Sequence, residues 1–367
     1  MRYAAIYNLE LCVMIRFPRV RLRGPQLFTL FIALFLSVGI NAGGFTAEVD
    51  SISTRQLNLV EVQTELNALF NERIHQGVMR ANERSKPVAA TEEWMVNLDG
   101  KQCDEEQLYT ELRKAIFQSF TASWGLKGYD LDRQLREYLA GKSINIALDD
   151  SIYRDISYLE GFSLNLKGLS DIARVNGTLI GLDKLGHFFA EGWEYFEISN
   201  EPDRSLTDAM LWGHGKEAGM FGFTTTGVFS YADLATNFDG WRFWNRVLLK
   251  QPDPLKGLTA RLLDQPYVRC EIQLLESIQK FEVIRAWEIN NDFEIVDYVN
   301  PAWDEGINCN LYASPEIEEK VRTRMHELAP NFACPSSGTA CRWATVRYGP
   351  FAQQVLHPAC RAYGDSA

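Results

Sequence analysis

Asp183, His187 and Glu191 recur at four-residue intervals in GLDKLGHFFAEGWEYF. On a helix turning about 100° per residue, that spacing puts all three on one side. Carboxylates and an imidazole gathered this way can ligate a divalent metal or move a proton. Two later segments repeat the pattern: WGHGKEAGMFG carries His214, Lys216 and Glu217, and FSYADLATNFDGWRFW carries Asp233 and Asn237. The spacing predicts three neighbouring helices within residues 181–250 that bring their polar groups to one place.

Taken alone, the first helix is an ordinary amphipathic one. Asp183, His187, Glu191 and Glu194 share a side opposite Leu185, Phe188, Phe189 and Phe196. The other two differ. His214 and Glu217 share a face with Met210 and Phe221, and Asp233 and Asn237 lie beside Leu234, Trp241 and Trp244, while Asp239 and Arg242 point away. Polar groups on apolar faces are expected to be buried, and buried carboxylates are costly unless paired, hydrogen-bonded or metal-bound. Lys184 and Lys216 are the counter-charges at hand, and Gly213, Gly215 and Gly219 would let backbones approach.

Three chemistries suit such a cluster. The first is a structural network in which Lys216, Glu217, Asp233, Asn237 and His187 satisfy one another. The second is a divalent metal held by Asp183, His187, Glu191, His214, Glu217 and Asp233, as inward carboxylates and imidazoles do in helix bundles. The chain lacks the His-Glu-x-x-His and Glu-x-x-His signatures of zinc peptidases and di-iron bundles. The third is metal-free hydrolysis, with His187 as general base, Glu217 or Asp233 orienting it, and Lys184 or Lys216 stabilising an anion. Ser230 and Thr224 to Thr226 are the hydroxyls between the helices, but no Gly-x-Ser-x-Gly elbow marks a nucleophile. The Gly-x-Gly-x-x-Ala of WGHGKEAG follows a helical pattern where a strand is required, which argues against a dinucleotide site. In AWDEGINCN, Asp304, Glu305 and Asn308 could close over the cluster, but the preferred reading is that Asp304 and Glu305 are solvated and Cys309 anchors the segment; His75, His326 and His357 read as surface residues.

The order Asp-Lys-x-x-His, then Lys-Glu, then Phe-Ser-x-x-Asp-Leu followed by Asn and Gly resembles VanZ-like and YfiM-like bacterial envelope proteins. The resemblance covers about Asp183 to Gly240 and marks Asp183, Lys184, His187, Lys216, Glu217, Asp233, Asn237 and Gly240. It implies an envelope location and a shared polar cluster, and it supplies no reaction. Members of those groups are membrane-embedded or lipid-anchored, and this chain departs from both.

The elements around the cluster are read from periodicity. A long amphipathic helix is expected over residues 53–84, and a second is capped by Asp104, carries Leu108, Leu112, Ile116 and Phe120, and ends at Trp124 and Gly125. A short helix follows over Leu131 to Ala140, then a stretch of short strands or irregular chain. Beyond the central helices the helical pattern resumes in EIQLLESIQKFEVIRAW, and Ser314 before Pro315 starts a helix to about Leu328. The expected fold is mainly α, a single helical domain over residues 43–329 with an irregular, disulfide-bearing tail over 330–367.

Arg16, Arg19, Arg21 and Arg23 precede the uncharged run Leu27 to Ile40 and the small residues Asn41, Ala42 and Gly43, the pattern of an export signal cleaved after Ala42. Met14 as the start would give the usual short leader. No later apolar run reaches spanning length, so no integral membrane span is expected after signal removal. Removing Met1–Ala42 takes away five Arg and one Glu and leaves a net charge near −15, with no basic stripe to bind nucleic acid. Six Cys remain, Cys103, Cys270, Cys309, Cys334, Cys341 and Cys360, an even set suited to an oxidising compartment. A bridge between Cys334 and Cys341 across PSSGTA is the easiest to close. The sequence thus reads as a periplasmic or secreted protein, with a binding or accessory role toward a cell-envelope component or protein partner. The alternative is a metal-dependent hydrolase of such a component.

Overall fold

Helix α1 (Gln63–Arg84) buries Leu66, Phe70, Ile74, Val78 and Ala81 at three- and four-residue spacing, which sets one stripe against its neighbours. It starts later than periodicity predicts: residues 51–57 form turns in which Asp50 accepts from the Ile52 and Ser53 amides, and Glu61 and Val62 then pair with Arg174. The computed structural model describes residues 48–84, 103–120, 127–129, 131–219, 222–277 and 280–364, all within one unit, Gly43–Ala367. The expected leader, Met1–Ala42, and the expected helix end at Trp124 and Gly125 lie outside the described residues.

Asp104 caps α2 (Glu105–Ile116) by accepting from the Gln107 amide. Helix α2 lies so close to α1 that a Cβ on Gly77 would fall 2.8 Å from Leu112. A hairpin of β1 (Gln118–Phe120) and β2 (Lys127–Tyr129), helix α3 (Leu131–Tyr138) and helix α4 (Phe162–Lys167) follow. Strands β3 (Ile172–Val175) and β4 (Thr178–Gly181) are joined through Asn176 and Gly177, both at positive φ, the two-residue turn whose twist suits a hairpin. Strand β4 runs directly into the central helices.

The first central helix has three parts: α5 (Asp183–Gly186), a π-helical turn (His187–Glu191) and α6 (Gly192–Asn200). A capping box at Ser205 and Asp208 starts α7 (Leu206–Glu217). Strand β5 (Val228–Ser230) leads into α8 (Tyr231–Leu248), whose Ser230 cap accepts from the Asp233 amide. Helix α8 is buried on every side from Tyr231 to Asn245. It crosses α6 at a glycine pair: a Cβ on Gly192 would lie 2.6 Å from the Gly240 Cα, and one on Gly240 would lie 1.9 Å from the Phe188 carbonyl oxygen. Phe188, Phe189, Phe243, Phe293, Tyr298 and Trp244 fill the surrounding core.

Past the short α9 (Leu258–Leu262), the segment expected to be helical is a hairpin of β6 (Val268–Ser277) and β7 (Lys280–Ile289), in register from Val268 opposite Ile289 to Ser277 opposite Lys280. Its apolar residues fit period two as well as a helical stripe, and β-branched Val and Ile favour the strand. Strand β8 (Asn310–Tyr312) pairs with β5. Helix α10 (Pro315–Leu328) begins at Ser314 as predicted. The tail is not irregular. It forms α11 (Gly338–Tyr348), α12 (Ala352–Val355) and α13 (Pro358–Arg361).

The disulfides are Cys103–Cys270, Cys309–Cys334 and Cys341–Cys360, which corrects the expected Cys334–Cys341 bridge. Ser337 caps α11 and places Cys341 on its buried face, where Cys360 of α13 meets it. Among the described residues the fold is therefore mostly helical with four antiparallel strand pairs, and no described helix is long and apolar enough to cross a membrane.

Candidate functional site

The β4–α5 junction carries the site's one buried lysine. The Asp183 amide donates to Ser170 Oγ, and the next residue, Lys184, turns inward and is fully buried. Its Nζ lies 2.9 Å from Asp183 Oδ2, 2.5 Å from Asp233 Oδ1 and 2.6 Å from Glu305 Oε1. Three elements thus converge on one ammonium: the start of α5, the first turn of α8, and the loop before β8.

His187 lies one turn further on and is also fully buried. Its Nε2 is 3.0 Å from Asp233 Oδ2, and its Nδ1 is 3.2 Å from both Glu191 Oε2 and Asn237 Oδ1. Asn237 Nδ2 donates to Glu191 Oε2 at 2.9 Å, which turns the amide oxygen toward the imidazole. His187 and Glu191 open and close the π-helical turn, a local irregularity often found at functional positions. Glu217, the last residue of α7, accepts from the Ser230 amide at 3.4 Å through Oε2, and its buried Oε1 meets no donor among the described residues. Asp183 Oδ1 is likewise buried without one.

Six carboxylates, those of Glu48, Asp183, Glu191, Glu217, Asp233 and Glu305, therefore share a desolvated region with Lys184 and His187. Burial, reinforced by the charges of Glu305 and Asp233, pushes Glu48 up to about 8. Burial raises Asp183 to about 7 against the pull of Lys184. Burial and the charge of Asp233 hold Glu217 well above the carboxylate range, and burial raises Glu305. Asp233 goes the other way. Burial would raise it, but His187 and Lys184 outweigh that and hold it below its ordinary value. Burial opposes charge on both cations, yet the surrounding carboxylates keep Lys184 and His187 protonated well above their ordinary ranges.

Asp183, Lys184, His187, Glu191, Glu217 and Asp233 are thus brought together as predicted, and two expected members are not. His214 is partly buried, and its Nε2 lies 2.6 Å from the Gln354 carbonyl oxygen. It packs beside Phe229 and Tyr231. Three residues along a helix leave about 60° of rotation, enough to send Glu217 inward and His214 toward the C-terminal segment. Lys216 places its ammonium over the Trp212 ring. Among the expected close-approach glycines, Gly213 admits the Tyr195 hydroxyl, whereas a Cβ on Gly215 would meet nothing within 4 Å.

Three acidic residues contradict their solvated reading or were missed. Asp304 is buried and accepts from Ser51, Arg55 and the Gly306 amide, and Glu305 joins Lys184. Both lie in a loop between fully buried Trp303 and Asn308, where periodicity offers no face to read. Glu48, just past the expected leader, had none. Asp239 and Arg242, expected to point away, are buried in a second network. There Arg242 pairs with Asp239 and Asp253, and Asp239 accepts from Trp303, Asn300 and Tyr348.

Glu305 also faces a cavity of about 270 Å³, lined in part by Ser51, Tyr153, Asn310, Tyr312 and His357. Asn310 Nδ2 donates to Glu305 Oε2 at 2.8 Å, so the carboxylate joins the cavity wall to the lysine. Two overlapping groups have the proximity a metal requires, Asp183–His187–Asp233 and His187–Glu191–Glu217, with ligand atoms in each within 4.8 Å of one another. No family model, curated protein or solved structure matches this chain.

Proposed function

We propose that the protein is a periplasmic or secreted binding or accessory protein of the bacterial cell envelope, with its ligand-holding centre in the cluster around Lys184 and His187. The observation that carries this reading is Glu305, which contacts the buried lysine through one oxygen and faces the 270 Å³ cavity beside it. A ligand in that cavity is coupled through one side chain to the centre of the fold. The three disulfides fit an oxidising compartment. The resemblance of Asp183 to Gly240 to VanZ-like and YfiM-like proteins supports an envelope location.

A second reading, a metal-dependent hydrolase acting on an envelope component, is favoured by the two overlapping groups around His187 whose ligand atoms have metal-binding proximity. Against it stands the burial of His187, which leaves no surface for a substrate to reach. The test is native mass spectrometry of protein purified from the export compartment without chelator. A mass above that of the oxidised polypeptide, returning to it on denaturation, is expected; the bare polypeptide mass contradicts the reading.

A further inference from the structure

We propose that His187, Glu191 and Glu217 bind a divalent transition-metal ion, with Asp233 holding the imidazole in place. This rests on the binding reading above in taking the Lys184–His187 cluster as a ligand-holding centre, and it adds a metal ion on the side away from the Glu305 cavity. The argument begins with the two ring nitrogens. Nε2 faces Asp233 Oδ2 at 3.0 Å and carries a proton toward it. Nδ1 faces two acceptors at 3.2 Å, Glu191 Oε2 and the oxygen of Asn237, whose amide orientation is fixed by donation from its nitrogen to Glu191, so in the metal-free protein Nδ1 also carries a proton, which a bound cation displaces. Histidines that ligate metals commonly donate their second N–H to a carboxylate in this manner, which fixes ring and tautomer.

A separate observation is Glu217. It is 2 % exposed, and its Oε1 meets no donor among the described residues, although one of its carboxylate oxygens lies within 4.8 Å of ligand atoms on His187 and Glu191. A buried carboxylate oxygen without a donor is costly, and a cation at this position removes the cost. Lys184 serves the opposite side of the cluster, within 2.9 Å of Asp183, Asp233 and Glu305. That separation decides between the two candidate trios. In Asp183–His187–Asp233, two of the three carboxyl or imidazole ligands already contact an ammonium, and a dication there would be set against it. In His187–Glu191–Glu217, no contact of either carboxylate with an ammonium is found among the described residues. One imidazole nitrogen with carboxylate oxygens suits Zn²⁺ or Mn²⁺ better than Ca²⁺ or Mg²⁺, which favour all-oxygen sites.

The experiment is calorimetric titration of chelator-stripped full-length protein with ZnCl₂, repeated with MgCl₂, for wild type and the variants Glu217→Gln, Glu191→Gln and Asp183→Asn. Near-ultraviolet circular dichroism monitors the fold. The expected result is one Zn²⁺ per wild-type chain, unchanged in Asp183→Asn and weakened in both glutamine variants by more than the roughly 10–100-fold typical of outer-shell losses. Glu191, 13 % exposed at its side chain, keeps the test decisive if Glu217→Gln does not fold. Wild-type-like Zn²⁺ binding by a folded Glu191→Gln or Glu217→Gln protein, its loss in Asp183→Asn, or equal affinity for Mg²⁺ would overturn the assignment. If wild type binds no Zn²⁺ while native mass spectrometry shows a retained organic ligand, this inference fails and the binding reading stands.

Discussion

At the scale of single residues, Lys184 is the group on which the centre depends. Its ammonium lies among three buried carboxylates, and removing one partner of a buried ionic network typically costs about 3–5 kcal/mol because charge is left uncompensated. Lys184→Met is therefore expected to lower unfolding free energy by that order in urea titrations; a loss below about 1 kcal/mol, the range of surface pairs, would contradict the account. The raised carboxyls fix a pH trend. Glu48 and Asp183 have folded values of about 8 and about 7, above their unfolded values, so the native state binds more protons between those limits. Their contribution is fully present below the unfolded values, near 4, and is lost as pH rises through the folded ones. Chelator-treated protein should accordingly be more stable to urea at pH 5 than at pH 8, and the opposite order would contradict the burial of these acids. At this scale the sequence was informative where acids shared a face with apolar residues: Glu217 and Asp233 were legible because buried faces demanded partners, and Asp183 followed from the neighbouring polar face that could supply them. Glu305 was not, since it lies in a loop where periodicity offers no face, and Glu48 precedes the first regular element.

At the scale of elements, the crossing of α6 and α8 sets how near the histidine helix comes to Asp233 and Asn237. Gly192 and Gly240 permit that approach, and a methyl at Gly240 would overlap the Phe188 carbonyl. Gly240→Ala is expected to destabilise by about 3 kcal/mol or more, at the upper end of overpacking, measured as a shift in the urea midpoint. A shift within about 0.5 kcal/mol, the range of surface substitutions, would show that the helices do not pack this closely. Helix starts were readable because capping is local chemistry: Asp104 and Ser314 accept amide protons three residues on, as their positions predicted. The β6–β7 hairpin was not readable, because ten-residue runs of mixed apolar and charged residues satisfy both periods and pairing with a partner strand decides between them. The π-helical turn leaves no trace in periodicity, since it depends on the packing of the whole helix.

At the scale of the molecule, the prediction of a mostly helical fold with disulfides near the C-terminus agrees with the structure, whereas the pairing of the cysteines does not. Closing the shortest loop was the guiding rule, but Cys334 lies in the loop before α11 and Cys341 on the buried face of α11, and tertiary packing sends them to Cys309 and Cys360. The bridge from Cys103 to Cys270 spans 167 residues and ties the segment before α2 to the β6–β7 hairpin. That bridge encloses α5 to α8 in sequence, and the polar centre they carry is buried, so local opening is expected to reach it late. Such a centre suits a bound ligand that stays with the protein. The direct measurement is native mass spectrometry of the full chain purified from the export compartment without chelator, compared with the same sample denatured. The account predicts a folded species heavier than the oxidised polypeptide by a discrete ligand mass that is lost on denaturation. A folded species at the polypeptide mass alone would contradict it.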